Sequence, residues 1–250
     1  MYIYDGTTSI RVIEHNPSGS VYTIALLQNG YLASSGDDGY IKIWNTADGV
    51  MQIRIWAAYP VYSLVCLQNG YLASGIADGN VNIWNAVDGT LIRTLSYATN
   101  VIVYTMTLLP NGYLVTGGLT DYIKIWNPND GSLIQSTSGI ISGCISYSLA
   151  VLNNGYVATG CSNGFIYIFD PSNPSTNKFI LAHADKAIAL LVLQNGYLVS
   201  GSPDLGLYVW DTSDKSKKVD KSETAGIYAL ALLKNGNFAV GTTSYVKTYN

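Results

Sequence analysis

The chain has 250 residues, of which only 12 % are charged, with a formal net charge of −3 and a pI near 5.2. Ordinary globular proteins carry roughly twice that charged fraction, so the polar surface must be built from Ser, Thr, Asn, Gly and 20 Tyr instead. The basic field that phosphate backbones and anionic bilayers require is missing, which argues against nucleic acid and membrane as partners. Cys66, Cys144 and Cys161 are odd in number and lack Cys-x-x-Cys spacing, so they are expected to be buried free thiols rather than a disulfide or zinc framework.

In chain order, Met1-Tyr-Ile-Tyr4 and Ser9-Ile-Arg-Val-Ile13 are short β-type runs that precede a repeat. The repeat is marked by Asn-Gly pairs at Asn29, Asn69, Asn111, Asn154, Asn195 and Asn235, at spacings of 40, 42, 43, 41 and 40 residues. One period contains four apolar runs: Val21–Leu27, Tyr31–Ser34, Tyr40–Trp44 and Met51–Ile55. They are separated by Asn29-Gly30, Asp37-Asp38-Gly39 and Asp48-Gly49. Asn-Gly between two such runs is a strong hairpin signal, expected here as a type I′ turn with both residues at positive φ. Each period therefore reads as a four-stranded meander that cannot cover its own apolar faces and must stack on its neighbours.

From Ser34 to Trp44, Ser74 to Trp84, Thr116 to Trp126, Thr159 to Phe169 and Ser200 to Trp210 the distance is ten residues each time. With Leu-Ala-Ser, then Asp-Gly, then Ile-Lys-Ile-Trp-Asn, this pattern resembles the WD40 repeat. The resemblance implies an all-β, six-bladed propeller of four-stranded blades in a single domain over 1–250. The blades fall at about 20–56, 60–96, 101–137, 144–182, 187–220 and 226–250, the last completed by 9–14. In this reading Ser9–Ile13 supplies the missing outer strand of the sixth blade and closes the ring, and Tyr2, Ile3 and Tyr4 are left as a spare strand.

The resemblance also implies hydrogen-bonded tetrads within blades. His15, Ser34, Asp38 and Trp44 match one, and His183, Ser200, Asp204 and Trp210 a second; the other copies depart from the pattern. Both histidines are thus read as structural. No oriented nucleophile and base, no metal-ligand cluster and no phosphate loop is found, so the chain is read as non-enzymatic, without metal or cofactor.

Binding is the expected activity. In the resembled fold the loops from outer strand to next inner strand converge on one face, and here they differ between copies: Trp56–Tyr59, Tyr97–Asn100, Gly139–Ser142 and His183–Lys186. Varied loops on a repeated frame are what an interaction scaffold presents. Trp56, Tyr59, Tyr97, Ile140 and Ile141 are the expected anchors, with Asp185 and Lys186 in the same loop set. The alternative is a self-assembling structural subunit, a filament or shell, that uses the spare strand or the weakly charged surface. If Met1 is the native start, a cytoplasmic location is expected. Met1 also falls in register with Ile41, Val81 and Ile123, and a piece of a longer array is compatible with an extracellular location.

Overall fold

The computed structural model describes residues 2–4, 10–12, 15, 19–137 and 143–250. Every regular element among them is a strand. The chain divides into two compact units, Met1–Leu108 with Asn127–Ser132, and Leu109–Trp126 with Leu133–Asn250.

A two-stranded hairpin comes first, β1 (Tyr2–Tyr4) with β2 (Ile10–Val12). Four-stranded antiparallel meanders follow. The first is β3 (Val21–Leu26), β4 (Leu32–Gly36), β5 (Tyr40–Trp44) and β6 (Met51–Trp56). The second is β7 (Val61–Cys66), β8 (Leu72–Ile76), β9 (Asn80–Trp84) and β10 (Leu91–Ser96). The third is β11 (Thr105–Leu108), β12 (Leu114–Gly118), β13 (Thr120–Trp126) and β14 (Leu133–Ser136). The fourth is β15 (Ser146–Val151), β16 (Val157–Cys161), β17 (Phe165–Asp170) and β18 (Asn173–Ala182). The fifth is β19 (Ala189–Val192), β20 (Leu198–Gly201), β21 (Gly206–Asp211) and β22 (Ser216–Ser222). The sixth has three strands, β23 (Ile227–Leu232), β24 (Phe238–Thr242) and β25 (Val246–Tyr249).

Second strands are buried on both faces, which is why they are built of small residues: Ala33, Ser34 and Ser35 in β4, and Ala73 and Ser74 in β8, are all fully buried. Gly75 shows the tightness, since a Cβ there would lie 2.8 Å from Val103 Cγ1. Successive meanders stack through apolar faces. In the first unit Ile41, Ile43 and Ile55 pack with Val61, Leu64, Leu72 and Ile76. In the second unit Val115, Ile123 and Ile125 pack with Val157 and Phe169. Farther along, Ile166 and Ile168 pack with Ala187 and Leu198, and Val199, Leu207 and Val209 with Ile227 and Val240. Apolar burial between copies, at about 25 cal/mol per Å², is the main force holding each unit.

Three details differ from the sequence expectation. At each Asn-Gly turn only the glycine is left-handed (Gly30 φ 83°), and the asparagine is absent from the positive-φ residues. The asparagine instead acts through its side chain, with Asn29 Oδ1 accepting from Tyr31 N at 3.0 Å, an Asx turn that fixes the reversal while the backbone stays right-handed. Cys144 and Cys161 are joined in a disulfide, with Cα atoms 5.0 Å apart, and only Cys66 is free. Cys144 lies two residues before Ser146, and Ser146 faces Cys161 across β15 and β16, a proximity that cysteine spacing in sequence does not reveal. Finally, Tyr2–Tyr4 is not spare: it pairs with Ile10–Val12 in the register Tyr2↔Val12, Ile3↔Arg11 and Tyr4↔Ile10. Among the described residues, β25 has β24 as its sole sheet neighbour. The local hairpin engages both short runs across a five-residue connection, a contact of low closure entropy.

Candidate interaction surface

The Asn-Gly turns occupy one end of the strands, and the loops joining second to third strands and outer to next inner strands occupy the other. At this loop end of the first unit, His15 bridges two elements. Its Nδ1 lies 2.7 Å from Ser34 Oγ and its Nε2 3.1 Å from Asp38 Oδ1. Trp44 Nε1 donates to Ser34 Oγ at 2.8 Å. Lys42 Nζ donates to Asp38 Oδ2 at 2.9 Å and also to the His15 carbonyl. Burial holds the His15 imidazole below its ordinary pKa, outweighing the pull of Asp38 toward the charged form. A neutral ring suits this arrangement: Nε2–H donates to Asp38 while Nδ1 accepts from the Ser34 hydroxyl. Burial alone would raise the Asp38 carboxyl, but hydrogen bonds from Lys42, Tyr40 N and His15 hold it below its ordinary value.

In the second unit His183 Nε2 lies 2.7 Å from Ser200 Oγ, and Trp210 Nε1 donates to that oxygen at 2.8 Å. Its Nδ1 is 3.4 Å from Asp204 Oδ1, an ion-pair distance without hydrogen-bond geometry, so this cluster is the looser of the two. Tyr208 stacks on the His183 ring at 4.4 Å, and burial again lowers the imidazole pKa. Asp204 Oδ2 accepts from Ala184 N at 2.7 Å, which ties the loop to the turn.

The slot filled by these histidines recurs. Ala57, Tyr97, His183 and Glu223 each donate a backbone N–H to the carbonyl of Gly39, Gly79, Gly164 and Leu205 respectively, at 2.8–2.9 Å. This position explains a correction: Tyr97 is 1 % exposed and is a core residue, so it is no contact anchor. Loop membership suggested exposure, but the first residue of the loop folds inward under the backbone bond. Glu223, unremarked in the sequence, is the polar occupant of the slot before the sixth meander. It accepts from Tyr245 Oη at 2.9 Å, from Tyr249 Oη, and from Lys247 Nζ at 3.4 Å.

Trp56 and Tyr59 are 56 % and 50 % exposed. Their loop is held by Ala57 N donating to Gly39 O at 2.9 Å and Ala77 N donating to Pro60 O at 3.1 Å, with Ala58 left-handed at φ 71°. Trp56 leans on Tyr40 at 4.6 Å, and the Arg54 guanidinium lies over the same Tyr40 ring at 4.8 Å. Asp185 is exposed, its Oδ1 accepting from Lys186 N at 2.7 Å, and Lys186 Nζ stands 5.8 Å above the Tyr147 ring. Ile140 and Ile141 lie outside the described residues, as do the side chains of Tyr2, Ile3 and Tyr4. Among the described residues no cluster of three or more His, Cys, Asp or Glu is arranged to hold a metal. Among the same residues no helix is long and apolar enough to cross a membrane.

Residues 7–45 match the WD domain, G-beta repeat family. The crystal structure of the WD40 β-propeller domain of Doa1 superposes with a TM-score of 0.81 at 22 % identity, covering 93 % of this chain and 79 % of that one. No curated protein matches. The fold is that of the WD40 β-propellers. It is all-β and six-bladed.

One group within this WD40 fold escaped the sequence reading. Tyr22, Tyr62, Tyr104 and Tyr147 follow one another at 40, 42 and 43 residues, the first three spacings of the Asn-Gly pairs, so they share one register position at the head of the first strands. The signal was legible as a repeat, but apolar runs were read for the core and their tyrosines were absorbed into it.

Proposed function

We propose that the chain is a non-catalytic protein-interaction platform whose contacts are made at the loop end of the meanders. The observation that carries this reading is the pair Trp56 and Tyr59, two half-exposed aromatics three residues apart on a pinned loop. Large amphipathic side chains on rigid backbone supply interface energy at low entropic cost. Capture from an extract of the source cells tests it: proteins retained by the wild type are lost with Trp56→Ala/Tyr59→Ala and kept with Asn29→Ala at the opposite end of the same meander. Equal retention by both variants refutes the reading. The Cys144–Cys161 bridge supports an oxidising, extracellular location, where disulfides persist.

A second reading, self-association, is favoured by Ile24 and Leu26 of β3, which are 54 % and 67 % exposed, whereas in β7 Leu64, the counterpart of Ile24, is 6 % exposed and Cys66, the counterpart of Leu26, is half-buried. Sedimentation across a concentration series tests it, and a mass fixed near 26.9 kDa removes it.

A further inference from the structure

In the first unit the Tyr22 and Tyr62 rings stack at 4.8 Å with planes 10° apart, and Tyr104 meets Tyr62 edge-on at 5.3 Å. Tyr22 is 45 % exposed, so the stack is open to solvent. Beside it stands an exposed carboxylate: Asp37 Oδ2 accepts from Ser20 N at 2.9 Å and Asp37 N donates to Ser20 O at 3.2 Å, which fixes this side chain two residues from Tyr22. Among the described residues no cation pairs with Asp37, and none stands over the Tyr22 or Tyr62 ring.

The second unit shows what this register position accepts. There the equivalent Tyr147 is covered by a cation of the chain itself, Lys186 Nζ at 5.8 Å. Tyrosine faces attract ammonium and guanidinium groups through the ring quadrupole, and an adjacent carboxylate adds Coulomb attraction. The Tyr62 phenol is held above its ordinary pKa by burial, then by Tyr22 and Asp37, so the ring stays neutral.

We propose that Tyr22, Tyr62 and Asp37 form a subsite for a cationic side chain, arginine or lysine, presented by a partner protein. The subsite rests on the platform reading and gives that surface a chemical preference. Its position beside the β4–β5 turn places it at the same end of the strands as Trp56 and Tyr59.

The test uses the full chain labelled with 13C-tyrosine and three probe peptides, acetyl-Gly-Gly-X-Gly-Gly-amide with X as Arg, Lys or Gln, followed by NMR. The Arg and Lys peptides are expected to give saturable shifts of the Tyr22 and Tyr62 ring signals, and the Gln peptide none. Asp37→Asn and Tyr22→Leu, both at exposed positions, are expected to weaken binding about two- to fivefold, the range of exposed cation–π contacts. Unchanged melting temperatures check that both variants fold. Equal shifts from the Gln peptide, or none from the Arg and Lys peptides, overturn the proposal. Loss of these shifts with capture through Trp56 and Tyr59 intact removes the subsite alone. Capture insensitive to Trp56 and Tyr59 with the shifts intact removes the platform surface alone.

Discussion

Ser34→Ala removes one oxygen atom that two buried groups use. Trp44 Nε1 donates to it at 2.8 Å and His15 Nδ1 faces it at 2.7 Å, with Ser34 itself fully buried. No solvent reaches the site to replace the lost partner. Leaving a buried polar group unsatisfied costs about 1–3 kcal/mol, so the two together cost about 2–6 kcal/mol. The second meander is the internal control: Ser74 Oγ accepts from Trp84 Nε1 at 2.8 Å, touches Asn82 O at 3.4 Å, and has no histidine. Ser74→Ala is therefore expected to cost about 1–3 kcal/mol, less than Ser34→Ala by at least about 1 kcal/mol. Urea unfolding followed by tryptophan fluorescence gives both values, compared at equal slope. Equal losses in the two variants would refute the claim that His15 is an energetic member of the cluster.

Acid stability follows from the same groups. His15 and His183 have folded pKa values below the ordinary 6.5, so their contribution is complete above about pH 6.5 and is lost as pH falls toward the folded values. Asp38 and Asp204, also lowered, contribute above 3.8 and lose that contribution as pH falls through their folded values. Melting temperature measured from pH 8 to pH 4 should fall progressively below about pH 6.5, and His15→Gln should flatten the first part of that fall. Tyr97→Ala should destabilise by about 3–5 kcal/mol, the usual cost of deleting a large buried aromatic, without altering the set of captured proteins. Alkylation of the unfolded, unreduced chain should modify Cys66 alone, and reduction of the Cys144–Cys161 bridge should lower stability by about 3 kcal/mol, the loop-entropy value for a short loop. Glu223→Ala, which strips acceptors from Tyr245, Tyr249 and Lys247, should cost about 1–3 kcal/mol by urea unfolding.

Much of the fold was legible because the repeat states the same local chemistry many times. The ten-residue interval from Ser34 to Trp44 is a direct consequence of antiparallel register, Leu32 facing Trp44 and Ser34 facing Lys42, which brings the indole nitrogen back over the hydroxyl. The same register brings Trp210 over Ser200 in the fifth meander. Tyr97 was misread because its loop begins with an inward-facing slot, and residue type alone does not tell an aromatic filling that slot from one standing outside it like Tyr59. The Cys144–Cys161 bridge was missed because cysteine counting carries no register; the pairing of β15 with β16 does. The tyrosine row was hidden among apolar runs, where alternation marks burial but not the exposed head of a strand.

The platform claim is tested most directly by hydrogen–deuterium exchange of the chain with and without its captured partner. New protection is expected at residues 56–62 and 37–40, with little change at the Asn-Gly turns 28–31, 68–71 and 110–113. Protection centred on those turns, with residues 56–62 unchanged, would contradict it.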